Sequence, residues 1–202
     1  MLLTVQDLTC VRGGRCVFEG LSLQVKGGSG STLTGPNGAG KSSLLRILAG
    51  FIPPAAGSLR LDGGDDDTPL GAQCHYVGHL NGVKRAFTLR ENLAFWAEYL
   101  GGGDVTRALE MFELGSLSDI PAGLLSAGQS RRLGLARLAL AHRPVWLLDE
   151  PDVSLDAGSR KILAKILKNH LKGGGIIIAA THTPLGLNLG QELKLGAGGG
   201  SA

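Results

Sequence analysis

Gly35-Pro36-Asn37-Gly38-Ala39-Gly40-Lys41-Ser42 reads G-x-x-x-x-G-K-S, a spacing suited to holding phosphate. Its glycines let successive backbone N–H groups converge on one centre, and a helix starting at Lys41 would aim its positive dipole end at the same point. The Lys41 ammonium suits β- and γ-phosphate oxygens, and the Ser42 hydroxyl suits a hard cation such as Mg²⁺. Glycine makes up 33 of 202 residues, so this loop alone could be a glycine-rich turn capping a helix. What lies downstream decides. Val145-Trp146-Leu147-Leu148-Asp149-Glu150 is an apolar run ending in two carboxylates, and open α/β sheets bind ligands beyond the carboxyl ends of their strands. Asp149 can hold Mg²⁺ there, and Glu150 can orient or deprotonate a water attacking the γ-phosphate in line. Read alone, Asp149-Glu150-Pro151 is a helix cap; with a phosphate loop in the same chain, the catalytic reading prevails.

Two further features fit that chemistry. Ser126-Ala127-Gly128-Gln129 opens an Arg-rich helix; it is at once a capping box and a second cluster of N–H donors where the small Gly128 permits close approach. Thr181-His182-Thr183 places an imidazole just past an apolar strand, where it can sense a γ-phosphate.

The elements that must position these groups are legible in the pattern. Alternating Leu3, Val5, Leu8, Val17, Leu21, Leu23 and Val25, punctuated by glycine pairs, predict antiparallel strands in the first thirty residues. A strand at 31–34 feeds the phosphate loop, and a helix at 41–48 is ended by Gly50 and Pro53-Pro54. Segments 58–61 and 74–77 are expected as a further strand pair. From Thr88 the period becomes helical, with a Thr88-x-x-Glu91 capping box; helices are predicted to 100, over 105–114 and over 126–141. Strands at 145–148 and 176–180 and a helix at 158–171 complete the chain. The prediction is an α/β fold, a mostly parallel sheet core with antiparallel N-terminal strands and an inserted helical lobe. One domain spans 1–202, with 1–80 and 142–195 as the catalytic core, about 85–141 as the helical lobe, and 196–202 as a flexible tail.

Composition excludes several classes. A formal net charge of +3 with scattered basic residues gives no footprint for nucleic acid. No apolar run approaches the roughly 18 residues a membrane span needs, and Met1 to Cys10 lacks the layout of a secretory signal, so a cytosolic residence is expected. Cys10, Cys16 and Cys74 have no metal or disulfide spacing and are expected as inert thiols. Asp65-Asp66-Asp67 is expected to be a solvated loop rather than a cation site.

Taken in order, G-P-N-G-A-G-K-S, Y-V-G-H, L-S-A-G-Q, W-L-L-D-E-P with S-L-D-A, and A-A-T-H resemble the nucleotide-binding domain of ATP-binding-cassette (ABC) proteins over nearly the whole chain. The pentapeptide Leu125-Ser126-Ala127-Gly128-Gln129 is the specific part of that likeness. The resemblance implies that Gly35 to Ser43 cradle ATP, including Pro36, Asn37, Gly38, Ala39, Gly40 and Ser43. Lys41 would bind β- and γ-phosphates, and Ser42 with Asp149 would hold Mg²⁺. Glu150 would be the catalytic base and His182 the switch histidine. Residues 125–129 would contact the ATP of a second subunit, which implies a head-to-tail dimer with two ATPs between the copies and Asp156 facing the partner. Family members usually carry Gln where His79 stands, so His79 would take the role of coupling to a transmembrane partner. Arg12 stands where an aromatic usually stacks on adenine, and its planar guanidinium could stack instead.

Within the family the chain is similar to the ATP-binding subunits of cytochrome c maturation systems. That likeness is carried by Cys16 to Leu23, Gly78-His79-Leu80-Asn81-Gly82-Val83-Lys84, Leu125 to Leu138, and Thr183-Pro184-Leu185-Gly186-Leu187. It implies a place on the cytoplasmic face of the bacterial inner membrane, a separate transmembrane subunit as partner, and hydrolysis that drives haem export or release of a haem chaperone. The five histidines show no haem-ligand pattern. Three other readings stay open: the ATPase of a different importer or exporter, a soluble ABC ATPase acting without a membrane partner, and a binding-only module.

Overall fold

The computed structural model describes residues 1–196, so the expected tail lies, from residue 197 on, outside the described residues. Two compact units divide the chain: one takes Met1–Gly78, Arg143–Pro151 and the residues from Leu167 onward, the other His79–His142 and Asp152–Ile166.

In the first unit, β1 (Leu2–Arg12), β2 (Arg15–Lys26) and β4 (Ala56–Asp62) form an antiparallel sheet in the order β2-β1-β4. Alternation does the work there: Leu3, Val5, Leu8 and Cys10 of β1 point into the core while their neighbours stay partly or fully exposed. The second sheet is parallel throughout, with β3 (Gly30–Thr34), β5 (Cys74–Val77), β6 (Val145–Asp149), β7 (Ile176–Ala180) and β8 (Gly190–Lys194) in the order β5-β6-β7-β3-β8. Every residue of β6 and β7 is buried, which is why these strands read as unbroken apolar runs. Trp146 of β6 stacks on His170, ring centroids 3.9 Å apart, with His75 edge-on to the same indole at 6.2 Å. Two of the five histidines are thereby packed against one indole.

Helix α1 (Lys41–Leu48) starts directly after the phosphate loop and buries Leu44, Leu45, Ile47 and Leu48. Gly50, at φ 75°, ends it: Gly50 N–H donates to the Ile47 carbonyl at 3.0 Å and Phe51 N–H to the Arg46 carbonyl at 2.9 Å.

The second unit is helical. It contains α2 (Leu89–Leu100), α3 (Val105–Met111) and α4 (Ala127–Ala136), which pack on one another around Leu89, Leu93, Leu109, Phe112, Leu114, Leu133 and Leu135. The Thr88 box caps α2 as the sequence predicts, with Glu91 N–H on Thr88 Oγ1 at 3.1 Å and Thr88 N–H on Glu91 Oε2 at 2.8 Å. A fifth helix, α5 (Ala157–Lys172), follows.

Three expectations are corrected. Segments 58–61 and 74–77 do not pair with each other: β4 joins β1 antiparallel, and β5 joins β6 parallel, because buried Cys74, His75 and Val77 belong to the covered sheet while β4 is mostly solvated. The helix expected over 126–141 is α-helical only to Ala136 and tightens into a 3₁₀ turn over Arg137–Ala139. Strand β8 was not foreseen; Gly190-Gln191-Glu192-Leu193-Lys194 is polar because it is an edge strand, and its charges discourage further pairing.

Candidate nucleotide site

The phosphate loop connects β3 to α1 in the first unit. Gly35, Gly38 and Gly40 have φ of 130°, 83° and 99°, a region that side chains disfavour. Crowding adds a second requirement at two of them. A Cβ on Gly35 would strike the Leu195 carbonyl oxygen, and one on Gly40 would lie 2.7 Å from Val17 Cγ1 and 2.9 Å from Phe18 Cδ1. Strand β2 thus closes over the loop. Lys41 is only 8% exposed, and its ammonium donates to the carbonyls of Gly35 at 2.7 Å and Pro36 at 3.1 Å, so the charge is held inside the loop. Ser42 and Ser43 occupy the first turn of α1; a side-chain hydrogen bond joins Ser43 to Cys10. Pro36, Asn37 and Gly38 are exposed, and Ala39 is buried.

Strands β6 and β7 bring the remaining groups. Asp149 ends β6 and is 4% exposed. Glu150 follows with φ 49°, a left-handed conformation that costs a non-glycine residue of order 1–3 kcal/mol, and its N–H donates to the Ala180 carbonyl at 2.8 Å. Beyond β7, Thr181 Oγ1 and Thr183 exchange hydrogen bonds (Thr181 O–H to the Thr183 carbonyl at 2.9 Å, Thr183 N–H to Thr181 Oγ1 at 3.1 Å) that fold the His182 turn. His182 Nε2 lies 3.5 Å from Glu150 Oε1. A cavity of about 250 Å³ on the His182 side is lined by Thr32, Thr34, Thr181 to Leu185, Leu187 and Leu189.

Arg46 was not foreseen. It sits one turn beyond Ser42 on α1, hydrogen-bonds Tyr76 and feels the Asp149 carboxylate, and these partners raise its pKa further, Tyr76 most. Its i,i+4 relation to Ser42 was the available signal. Arg12 lies at the end of β1, exposed and in register with Arg15 at the hairpin tip. Cys10 and Cys74 are buried, and burial pushes the Cys74 thiol up to about 12; Cys16 is exposed. The Asp65 carboxylate is occupied locally, accepting from Asp67 N–H at 3.1 Å and Thr68 O–H at 2.6 Å, and no cluster of metal-ligating side chains exists among the described residues.

The pentapeptide 125–129 lies in the second unit, at the start of α4. Ser126 is its cap: Gln129 N–H donates to Ser126 Oγ at 3.2 Å and Ser126 N–H to Gln129 Oε1 at 2.9 Å. A Cβ on Gly128 would come 2.9 Å from the Ser154 carbonyl oxygen, so only glycine fits without displacement. Ser126 and Ala127 are exposed and Leu125 partly so. His79 is exposed, in the loop that precedes α2. Asp156, also exposed, accepts from Ser159 N–H at 2.7 Å at the start of α5, and that bond holds its carboxyl below the usual range.

The ABC transporter family profile matches residues 18–153. The cytochrome c biogenesis ATP-binding export protein CcmA of Rhodopseudomonas palustris (strain BisB5) is 49% identical over 98% of this chain and 99% of its own length. The CcmA protein of Nitrobacter winogradskyi is 51% identical over 97% and 98%, respectively. Among solved structures, a putative ABC transporter ATP-binding protein from Pyrococcus furiosus superposes with a TM-score of 0.81 at 25% identity, covering 96% of this chain and 98% of that one. The dimeric, post-hydrolysis structure of an ATP-binding cassette bound to ADP and Pi shares the fold, with a TM-score of 0.75 at 24% identity over 90% of this chain and 88% of that one.

Proposed function

The chain belongs to the ABC transporter family and is an ABC-type ATPase, and from that premise we propose that it energises the export step of cytochrome c biogenesis, moving haem or releasing a haem-loaded chaperone. Its relatives of 49% and 51% identity are named for that export role and match 98% and 97% of this chain. The observation that carries the catalytic reading is the meeting of Glu150 and His182 at 3.5 Å, at the ends of two adjacent strands, β6 and β7, the second of which neighbours the strand feeding the phosphate loop.

In this reading Gly35 to Ser43 wrap the triphosphate, and Lys41 exchanges its loop carbonyls for β- and γ-phosphate oxygens. Ser42 and Asp149 offer a hydroxyl and a buried carboxylate at the same end of the sheet, a donor set that fits a hard divalent cation such as Mg²⁺. When bound, that ion neutralises charge on the β- and γ-phosphates. Glu150 takes a proton from the attacking water, and His182 fixes the orientation of the Glu150 carboxylate and contacts the γ-phosphate. Arg12 supplies the stacking surface for the base.

Residues 125–129 sit on exposed capped backbone whose N–H donors suit a nucleotide held by another copy, so the working form is a head-to-tail pair closing on two ATPs. Asp156 faces the opposing copy. His79 engages a separate transmembrane subunit, and the complex works at the cytoplasmic face of the inner membrane. No helix among the described residues is long and apolar enough to cross a bilayer, which fits a peripheral subunit.

The test is ATP binding and phosphate release by the chain copurified with its membrane neighbour. Lys41→Ala should lower turnover by about 10²–10³-fold, the loss expected on removing one preorganised charge from a transition state. Near-normal turnover would overturn the site, and copurification with a membrane protein unrelated to cytochrome c assembly would overturn the assigned role.

A further inference from the structure

Asn81, two residues beyond His79, spends both ends of its amide on one helix. Its Oδ1 accepts from Arg131 Nη1 at 2.9 Å, and its Nδ2 donates to Ser130 Oγ at 3.2 Å. The backbone meets the same helix without a gap: a Cβ on Gly134 would lie 3.0 Å from Asn81 Cβ and 3.1 Å from its carbonyl oxygen. Arg131 is 4% exposed, and a guanidinium so buried must be hydrogen-bonded, which gives the contact weight beyond a surface pair.

Gly82 and Lys84, further along the loop, are fixed as well. Trp96 Nε1 donates to the Gly82 carbonyl at 3.4 Å, while Asn92 accepts from Lys84 N–H at 2.8 Å and donates back to the Lys84 carbonyl at 3.0 Å. Those bonds lead to α2. Only the Asn81 bonds in this set lead to α4, the helix whose first turn carries Ser126 and Gly128. Ser130 lies one turn from Ser126, and Ser130 N–H donates to the Ser126 carbonyl at 2.9 Å. A helix is stiff over so short a span, so a displacement at Asn81 is carried to the Ser126 turn with little loss.

We propose that Asn81 is a positioning residue that makes the His79 loop and the start of α4 one mechanical piece, so that engagement of His79 sets the pose in which Ser126 and Gly128 are presented to nucleotide. This inference rests on the shared-site reading given above. It assigns the coupling to the amide of Asn81 and its two hydrogen bonds, with His79 as the exposed end and Ser126 as the responding end.

The experiment uses the full chain carrying Glu150→Gln, in which ATP-driven dimerisation is followed by size-exclusion chromatography with light scattering, alongside binding of radiolabelled ADP by equilibrium dialysis. Asn81→Ala and the similarly sized Asn81→Leu should raise the ATP concentration at half-dimerisation about ten-fold, the effect of removing a hydrogen bond to a buried cation. Asn81→Asp keeps the acceptor for Arg131 and should stay within about three-fold of the parent. ADP binding should stay within about two-fold in all three, because the pocket lies in the other unit. Dimerisation of the Ala or Leu variant at the parent's ATP concentration overturns the inference, as does a loss of ADP binding in step with dimerisation. A parent chain that binds ATP yet stays monomeric overturns the shared-site reading and this inference with it; indifferent Asn81 variants of a dimerising parent overturn the inference alone.

Discussion

Glu150 Oε1 and His182 Nε2 stand 3.5 Å apart, the carboxylate largely covered with 22% of its side chain exposed and the imidazole 55% exposed. The two come from consecutive strands of one parallel sheet, and a backbone hydrogen bond from Glu150 to Ala180 fixes their spacing. Groups that act as a unit lose activity non-additively. Glu150→Gln and His182→Ala should each reduce phosphate release by about 100-fold or more while ATP binding persists, and the double variant should be no slower than the worse single. Steady-state turnover decides this; losses that multiply would make the two side chains independent.

Gly35 and Gly38 share positive φ but differ in their surroundings. Gly35→Ala meets the Leu195 carbonyl and a backbone of φ 130°, whereas an added Cβ at Gly38 meets nothing within 4 Å. We expect Gly35→Ala to destabilise the chain by about 2–4 kcal/mol and Gly38→Ala by about 1 kcal/mol. Thermal unfolding should show a fall of several degrees for the first and a small one for the second. Equal shifts would mean that backbone strain alone matters in this loop.

Gly128→Ala presses on the Ser154 carbonyl from 2.9 Å, at a site removed from the phosphate loop in sequence. It should leave radiolabelled ADP binding within about two-fold while weakening ATP-driven dimerisation about ten-fold or more. Unchanged dimerisation in a Glu150→Gln background would remove residues 125–129 from the second copy's nucleotide.

Burial holds the Cys74 thiol protonated up to about 12 in the folded chain, well above the ordinary thiol value near 9. Between those values the unfolded chain has lost a proton that the folded chain keeps, so stability must fall as pH rises from about 9 toward 12. Urea unfolding at pH 8 and pH 10 should show this decline, and Cys74→Ala should flatten it. At pH 8 a thiol reagent should modify exposed Cys16 rapidly and Cys74 only on unfolding.

Much of the frame around this candidate site could be read from residue order because its elements are local devices. Lys41 to Leu48 carries its own start and stop, and Val145 to Asp149 and Ile176 to Ala180 are apolar enough to be buried strands in any packing. Ser126 and Thr88 announce their helices through capping boxes. What was not legible depends on partners distant in the chain. Strand β8 has no apolar signature, since its place is set by pairing with β3 across a sequence separation of 158, as the Thr34–Glu192 hydrogen bond marks. Arg46 and Asn81 are ordinary in composition and become significant only where Tyr76 or Arg131 meets them.

The pairing of β3 with β7, Gly30 opposite Ile177, and the fit of Gly35 beneath Leu195 mean that the pocket's first strand waits for the chain's last ones. During translation, the ribosome must deliver the chain through Ile176 before β3 has either neighbour. A nascent chain stalled before residue 176 therefore exposes both edges of a buried strand. Such a fragment is a substrate for chaperones or proteases, and competence to bind nucleotide arrives only once β7 and β8 have been made.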